Sequence, residues 1–70
     1  MNTHELNPGD RVRLVVSCRF RGYQAGDKGT VTAGPVTTPG GKKVYFVVAM
    51  DQDPPGITAT FLANEIEPDL

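Results

Sequence analysis

The sequence predicts a small all-β domain in which five short strands form a partly open barrel. Three features support this prediction: the chain has only 70 residues, 8 glycines and 6 prolines interrupt it often, and the segments between them alternate apolar and polar side chains. Alternation with a period of two, in segments rich in β-branched residues, is typical of half-buried strands. A chain of this length forms one domain, so residues 1–70 are assigned to a single barrel.

The first strand is predicted from Arg11 to Cys18. It follows the turn sequence Asn7-Pro8-Gly9-Asp10, and the polar residues 1–8 are expected to form a flexible N-terminal segment. Val12, Leu14, Val16 and Cys18 share the face that should point to the core. Residues 19–29 contain three glycines and no apolar periodicity, which indicates a loop.

Four more strands follow, and glycine or proline marks most of the junctions between them. The second is predicted at Thr30–Ala33 and should weaken or end at Gly34-Pro35, because proline cannot donate a hydrogen bond to a neighbouring strand. The longest apolar run, Val44–Met50, is the central strand, with Val44, Phe46, Val48 and Met50 facing inward. The remaining elements are a strand at Ile57–Phe61, one 3-10 turn at Leu62–Asn64 and a last strand at Glu65–Glu67.

Eleven apolar side chains form the predicted core. They are the inward-facing residues of the five strands, together with the leucine of the 3-10 turn: Val12, Leu14, Val16, Val31, Val44, Phe46, Val48, Ile57, Phe61, Leu62 and Ile66.

In this order of elements the chain resembles the SH3-like barrel class. The residues that carry the resemblance are the opening Pro8 to Leu14, the segment Gly26 to Val31, and the ending Phe61 to Pro68. Within the class, Gly9 to Val31 resembles a KOW-type motif of transcription-elongation and ribosomal proteins. The chain is similar as well to small accessory barrels of ferredoxin-linked and photosynthetic complexes. The resemblance implies a binding module for RNA or DNA, or a subunit of a larger assembly.

Charge narrows the class of partner. Seven basic and eight acidic residues give a net charge of −1, whereas domains that bind nucleic acid over much of their surface are normally strongly basic. The charges are unevenly distributed: residues 1–35 carry five basic and three acidic side chains, and residues 36–70 carry two basic and five acidic ones. Four of the arginines lie between positions 11 and 21. They form either two solvated strand faces or a basic patch that attracts an acidic partner.

Catalysis, metal binding and cofactor binding are not expected. The only histidine, His4, lies in the N-terminal segment, and the only cysteine, Cys18, lies on a predicted inward face, so a Cys18–His4 pair with no obvious third group to orient it is a poor catalytic candidate. A structural zinc site needs four ligands, normally cysteine or histidine, and the chain supplies at most two of them. A single cysteine makes no internal disulfide, and no apolar run reaches the roughly 18 residues of a membrane span, so we expect a cytoplasmic protein.

The loop after the first strand is the predicted binding surface. It places two aromatic residues among two arginines, the residue types enriched at the centres of protein interfaces. The same residues can also stack a nucleic-acid base or hold a phosphate. The alternative is that Phe20 or Tyr23 folds back and fills the end of the barrel. The predicted binding residues are Arg19, Phe20, Arg21, Tyr23 and Gln24 in the loop, Arg11 and Arg13 as steering charges, and Lys43 and Tyr45 beside it.

Three functions follow from these residues. The preferred one is a non-catalytic adaptor that docks a protein with an acidic surface. The second is a KOW-like module that binds RNA or DNA with the same arginines. The third is a structural subunit whose exposed sheet edge pairs with a strand of a larger assembly.

Overall fold

A single antiparallel sheet of five strands forms the domain. The computed structural model describes residues 6–17 and 19–69, and of Arg19 only the backbone. The strands are β1 (Arg11–Leu14), β2 (Lys28–Thr37), β3 (Val44–Met50), β4 (Ala59–Leu62) and β5 (Ile66–Pro68), and their order across the sheet is β4-β3-β2-β1-β5. One 3-10 turn (Ala63–Glu65) lies between β4 and β5, and a second (Arg19–Arg21) lies between β1 and β2.

The predicted fold class is confirmed. All strand pairs are antiparallel, β4 and β5 remain at the two ends of an open sheet, and a 3-10 turn precedes the last strand. The described residues contain no α-helix, and therefore none of their segments forms a helix long and apolar enough to cross a membrane.

The first strand is shorter than the sequence predicts. It ends at Leu14, and Val16, which was predicted to lie in the core, is 37% exposed. The alternation of side chains continues past Leu14, but β2 begins only at Lys28, opposite Arg13, so there is no neighbouring β2 residue for Val16. Cys18, the last residue of the predicted strand, lies outside the described residues.

The second strand is longer than predicted, because it continues through Gly34-Pro35 to Thr37. Its register against β3 shifts between Val31 and Ala33 and again between Ala33 and Val36. Such bulges leave residues without a partner on the neighbouring strand, and one of them accommodates a proline that has no N–H to donate.

The end of the chain is shifted by one or two residues from the prediction. β4 begins at Ala59 instead of Ile57. Residues 54–57 form a turn, in which Ile57 N–H donates to the Pro54 carbonyl at 3.1 Å. Ile57, predicted to be in the core, is therefore 52% exposed. Leu62, predicted to be in the core, ends β4 and is only half-buried. The 3-10 turn and β5 then each begin one residue later than predicted.

Seven of the predicted core residues are buried: Val12, Leu14, Val31, Phe46, Val48, Phe61 and Ile66. Val44 is partly buried against them, and Met50 is buried as the alternation of the central strand predicts. Leu6 also belongs to the core, although it lies in the segment expected to be flexible. The turn that follows holds it there, since Gly9 N–H donates to the Val31 carbonyl at 2.7 Å and Asp10 N–H to the Asn7 carbonyl at 3.0 Å.

Gly29 allows the close approach of β2 and β3. A Cβ atom at this position would lie 2.7 Å from the Ala49 carbonyl oxygen and 2.7 Å from a methyl carbon of Val48. Both distances are too short for real carbon contacts, and the carbonyl cannot move without disturbing the sheet. A glycine within a strand commonly marks such an approach.

Gly29→Ala should therefore destabilise the domain by about 1–3 kcal/mol, the usual cost of overpacking a core. Urea denaturation measures this change in the free energy of unfolding. Thr37→Ala, an exposed substitution at the end of the same strand, is the control and should change it by less than about 0.5 kcal/mol. Equal stability of the two variants would contradict the close approach.

Candidate binding surface

The loop between β1 and β2 is held to the body of the domain by hydrogen bonds. Gly26 N–H donates to the Leu14 carbonyl at 2.8 Å, and Leu14 N–H donates to the Asp27 carbonyl at 2.8 Å. The Asp27 carboxylate accepts from Gln24 N–H at 2.9 Å, and the Ser17 hydroxyl oxygen accepts from Ala25 N–H at 3.3 Å. Main-chain hydrogen bonds thus join the end of β1 to the residues just before β2 and close the base of the loop.

Arg21 is anchored to the edge strand β4. Its guanidinium donates to the Thr60 carbonyl at 2.6 Å, and its central carbon lies 5.4 Å from the centre of the Phe61 ring. The first contact is a charge-assisted hydrogen bond and the second a cation–π interaction. Arg21, predicted as a binding residue, therefore positions the loop on the sheet.

Tyr23 packs into the hydrophobic core. Its side chain is only 7% exposed, and its ring meets the Phe61 ring edge to face, with centres 5.7 Å apart and planes 63° apart. Its hydroxyl donates a hydrogen bond to the Asp53 carboxylate. The alternative that an aromatic residue of the loop folds back thus applies to Tyr23, whose ring belongs to the core instead of the exposed surface.

Phe20 points into solvent from the 3-10 turn. Its relative exposure is 106%, the highest among the exposed large apolar side chains of the described chain. Arg21 and Tyr23, which follow it closely, are both fixed to Phe61, so Phe20 is presented from an anchored segment. Gln24 is also exposed, and the side chain of Arg19 lies outside the described atoms.

Arg11 and Arg13, predicted as steering charges, form ion pairs across the sheet. Both terminal nitrogens of Arg11 donate to the Asp51 carboxylate, at 2.7 and 2.6 Å, and one of them also donates to the Thr30 hydroxyl at 2.9 Å. Arg13 Nε donates to a Glu67 carboxylate oxygen at 2.9 Å. Both guanidinium charges thus have a carboxylate partner, which reduces the field they offer to another molecule.

A third pair, Lys28 with Asp69 at 3.4 Å, completes the pattern. In each of the three pairs the cation comes from the basic half of the sequence and the anion from the acidic half. The charge asymmetry along the chain is therefore largely cancelled in space, because antiparallel pairing brings the two halves together.

Lys43 and Tyr45 lie towards the other end of β4 from Arg21. Tyr45 is half-buried and pairs with Leu62, while Thr60, which Arg21 contacts, pairs with Val47. Thr60 and Leu62 are two residues apart, about 7 Å along a strand. Lys43 lines a groove of 380 Å³. The predicted binding residues are thus not one patch: Arg11 and Arg13 lie on β1, while Lys43 and Tyr45 lie apart from the Phe20 loop.

The free edges of the sheet are protected against pairing with another strand. On β4, the Thr60 carbonyl is occupied by Arg21, and Leu62 N–H donates to the Glu65 carboxylate at 2.7 Å. The strand β5 has only three residues and ends in Pro68, and the part of β2 beyond its pairing with β1 contains Pro35 and two register shifts. Short strands, prolines and bulges all oppose the addition of another strand.

Within residues 6–17 and 19–69 no group of three or more His, Cys, Asp or Glu side chains is arranged to hold a metal ion. The chain matches no protein-family model, and neither the curated proteins nor the solved structures include a significant match to it. The function is therefore argued from the geometry of the loop and its surroundings.

Arg21→Ala should lower the free energy of unfolding by about 1 kcal/mol, since it removes an exposed charge-assisted hydrogen bond and a cation–π contact. Urea denaturation measures the effect. Lys42→Ala removes the same charge from an exposed residue without an ion pair among the described carboxylates, and should change stability by less than about 0.5 kcal/mol. If both variants unfold alike, Arg21 does not anchor the loop.

The Arg11 guanidinium, through its hydrogen bonds, lowers the pKa of Asp51 below the ordinary value of 3.8. A lowered folded-state pKa contributes stability above the unfolded-state value, and this contribution is lost as the pH falls through the folded-state value. The stability difference between the wild type and Asp51→Asn should therefore be constant near neutral pH and shrink below about pH 4.

Carboxyl NMR titration of Asp51 checks the cause. We expect a pKa below 3.8 in the wild type and a return towards that value in Arg11→Met. An unchanged pKa in Arg11→Met would show that this contact does not set the ionisation of Asp51.

Proposed function

We propose that this chain is a non-catalytic binding module of the SH3-like barrel class, which docks an acidic surface of a protein partner through Phe20 and its loop. The five antiparallel strands and the 3-10 turn before β5 support the resemblance to that class. A cytoplasmic location is part of the proposal and rests on the single cysteine.

The exposure of Phe20 is the observation that carries the proposal. Burying a phenylalanine side chain is worth about 1.5–3 kcal/mol, and the free domain forgoes this gain entirely. Fully desolvated aromatic side chains are common centres of binding energy at protein interfaces. A partner that covers Phe20 recovers the burial energy that the domain itself does not use.

The anchoring of the neighbouring residues makes Phe20 an effective contact. Arg21 is bound to Thr60 and stacked on Phe61, and Tyr23 is packed into the core, so little loop entropy remains to be lost on binding. Rigid presentation of a contact residue raises affinity because this cost is small.

A protein partner is favoured over a nucleic acid. Binding to RNA or DNA depends on cations that neutralise phosphates, and the guanidinium groups of Arg11 and Arg13 are already paired with carboxylates. A subunit that joins an assembly by strand pairing is also disfavoured, since the sheet edges are blocked by Arg21, Glu65 and the prolines. Contact through side chains is the mode that fits.

Phe20→Ala should weaken partner binding by about 30-fold or more, the effect of losing a strong interface contact, with no loss of stability. The full chain is immobilised, and proteins captured from lysate are quantified by mass spectrometry against the wild type. Ile57→Ala is the matched control, because Ile57 is an exposed apolar residue of another loop.

Proteins lost with Phe20→Ala and retained with Ile57→Ala support the proposal. Capture that persists in Phe20→Ala overturns it. Loss of capture after nuclease treatment, together with oligonucleotide binding that weakens steeply as salt rises, would instead support the nucleic-acid function.

A further inference from the structure

The groove beside β4 has an apolar floor and a cationic rim. It is lined by Lys42, Lys43, Val44, Leu62, Ala63 and Asn64 and has a volume of 380 Å³. Val44 and Leu62 are half-buried, so they offer apolar surface that the domain covers only in part, while the two lysines are exposed. A ligand for this groove must combine an apolar group with an anionic one.

The two lysines are the described cations with no protein anchor. Arg11, Arg13 and Lys28 pair with carboxylates, and Arg21 is bound to a main-chain carbonyl. Among the described residues no carboxylate forms an ion pair with Lys42 or Lys43. Their charge is therefore available to a ligand.

Glu65, the acidic residue next to the groove residues in the sequence, does not neutralise the two lysines. Glu65 follows the groove residues directly, yet its carboxylate accepts a hydrogen bond from Leu62 N–H at 2.7 Å. That contact holds the 3-10 turn in place and fixes the wall of the groove formed by Leu62, Ala63 and Asn64. The wall is thus preformed.

We propose that this groove, called here the lysine groove, binds an acidic segment of a protein partner, with a carboxylate at Lys42 and Lys43 and an apolar side chain on Val44 and Leu62. This inference rests on the proposed function and adds a second contact to it. Arg21, the neighbour of Phe20 in the chain, is bound to Thr60, which lies two residues along β4 from the groove residue Leu62. One partner can therefore reach both the Phe20 loop and the lysine groove.

Charge and composition favour a peptide over a nucleic acid here. Two lysines match one or two carboxylates, whereas nucleic-acid sites combine a cationic groove that follows several phosphates with aromatic rings on which bases stack. No aromatic side chain lines the lysine groove. An apolar floor instead suits an aliphatic or aromatic side chain of a peptide.

The test uses the full chain, labelled with 15N, and the capped peptide Glu-Glu-Leu-Phe-Glu-Glu as the probe. A peptide with glutamine in place of every glutamate is the control. We expect amide shifts centred on Leu62, Ala63 and Asn64 at low salt, and weak or absent shifts with the glutamine peptide.

Two lysine variants test the assignment. Lys43→Ala should raise the dissociation constant of the peptide by up to about fivefold, as the loss of one exposed charge contact predicts. Lys28→Ala removes the same charge near the Met50 end of β3, away from the groove at the Val44 end. It should raise the dissociation constant of the peptide by less than about twofold.

Absence of shifts at these amides at millimolar peptide overturns the proposal, as does an equal effect of Lys28→Ala and Lys43→Ala. Tighter binding of a short oligothymidine at the same amides also overturns it, in favour of a nucleic acid. Phe20→Ala should leave the peptide titration unchanged. Loss of partner capture in Phe20→Ala without peptide binding would therefore refute the lysine groove alone and leave the Phe20 loop as the docking surface.

Discussion

The packing of two loop residues on Phe61 is the interaction on which the rest of the surface depends. Phe61 is buried in β4, where it pairs with Phe46, and it receives both the Tyr23 ring and the Arg21 guanidinium. Through this one side chain the first loop is joined to the edge of the sheet. The anchored segment from which Phe20 is exposed and the burial of Tyr23 both follow from it.

The distribution of charge has a similarly simple basis. Three cations from the first half of the chain meet three anions from the second half across the sheet, because β1 lies between β2 and β5. Each exposed pair adds little stability. With these pairs formed and Arg21 bound to Thr60, Lys42 and Lys43 in the hairpin before β3 are the cations of the described side chains that have no protein partner. Charge there can select a partner, since it is not cancelled by the protein itself.

The sequence predicts which strands form better than where each strand ends, and it predicts the position of the loop better than the role of each loop residue. Strand periodicity correctly places Val12, Phe46 and Phe61 in the core. It cannot show that β1 ends at Leu14, since its pairing with β2 depends on where β2 begins, nor that bulges accommodate Pro35. Composition singles out the loop of Phe20 and Tyr23, but only packing against Phe61 decides which ring is buried. Strand periodicity does not reveal the edge protection by Arg21 and Glu65, because each contact joins a side chain to a main-chain atom.

The blocked sheet edges have a consequence for how such a domain can change over time. Sheet proteins with open edges risk polymerising when a surface substitution makes them more apolar. Here Pro35, Pro68 and the side chains of Arg21 and Glu65, which bind the β4 main chain, oppose that route, and the Phe20 side chain takes no part in it. Position 20 can therefore vary without uncovering a sheet edge, so a new contact can arise there without also opening an edge to a second copy of the chain.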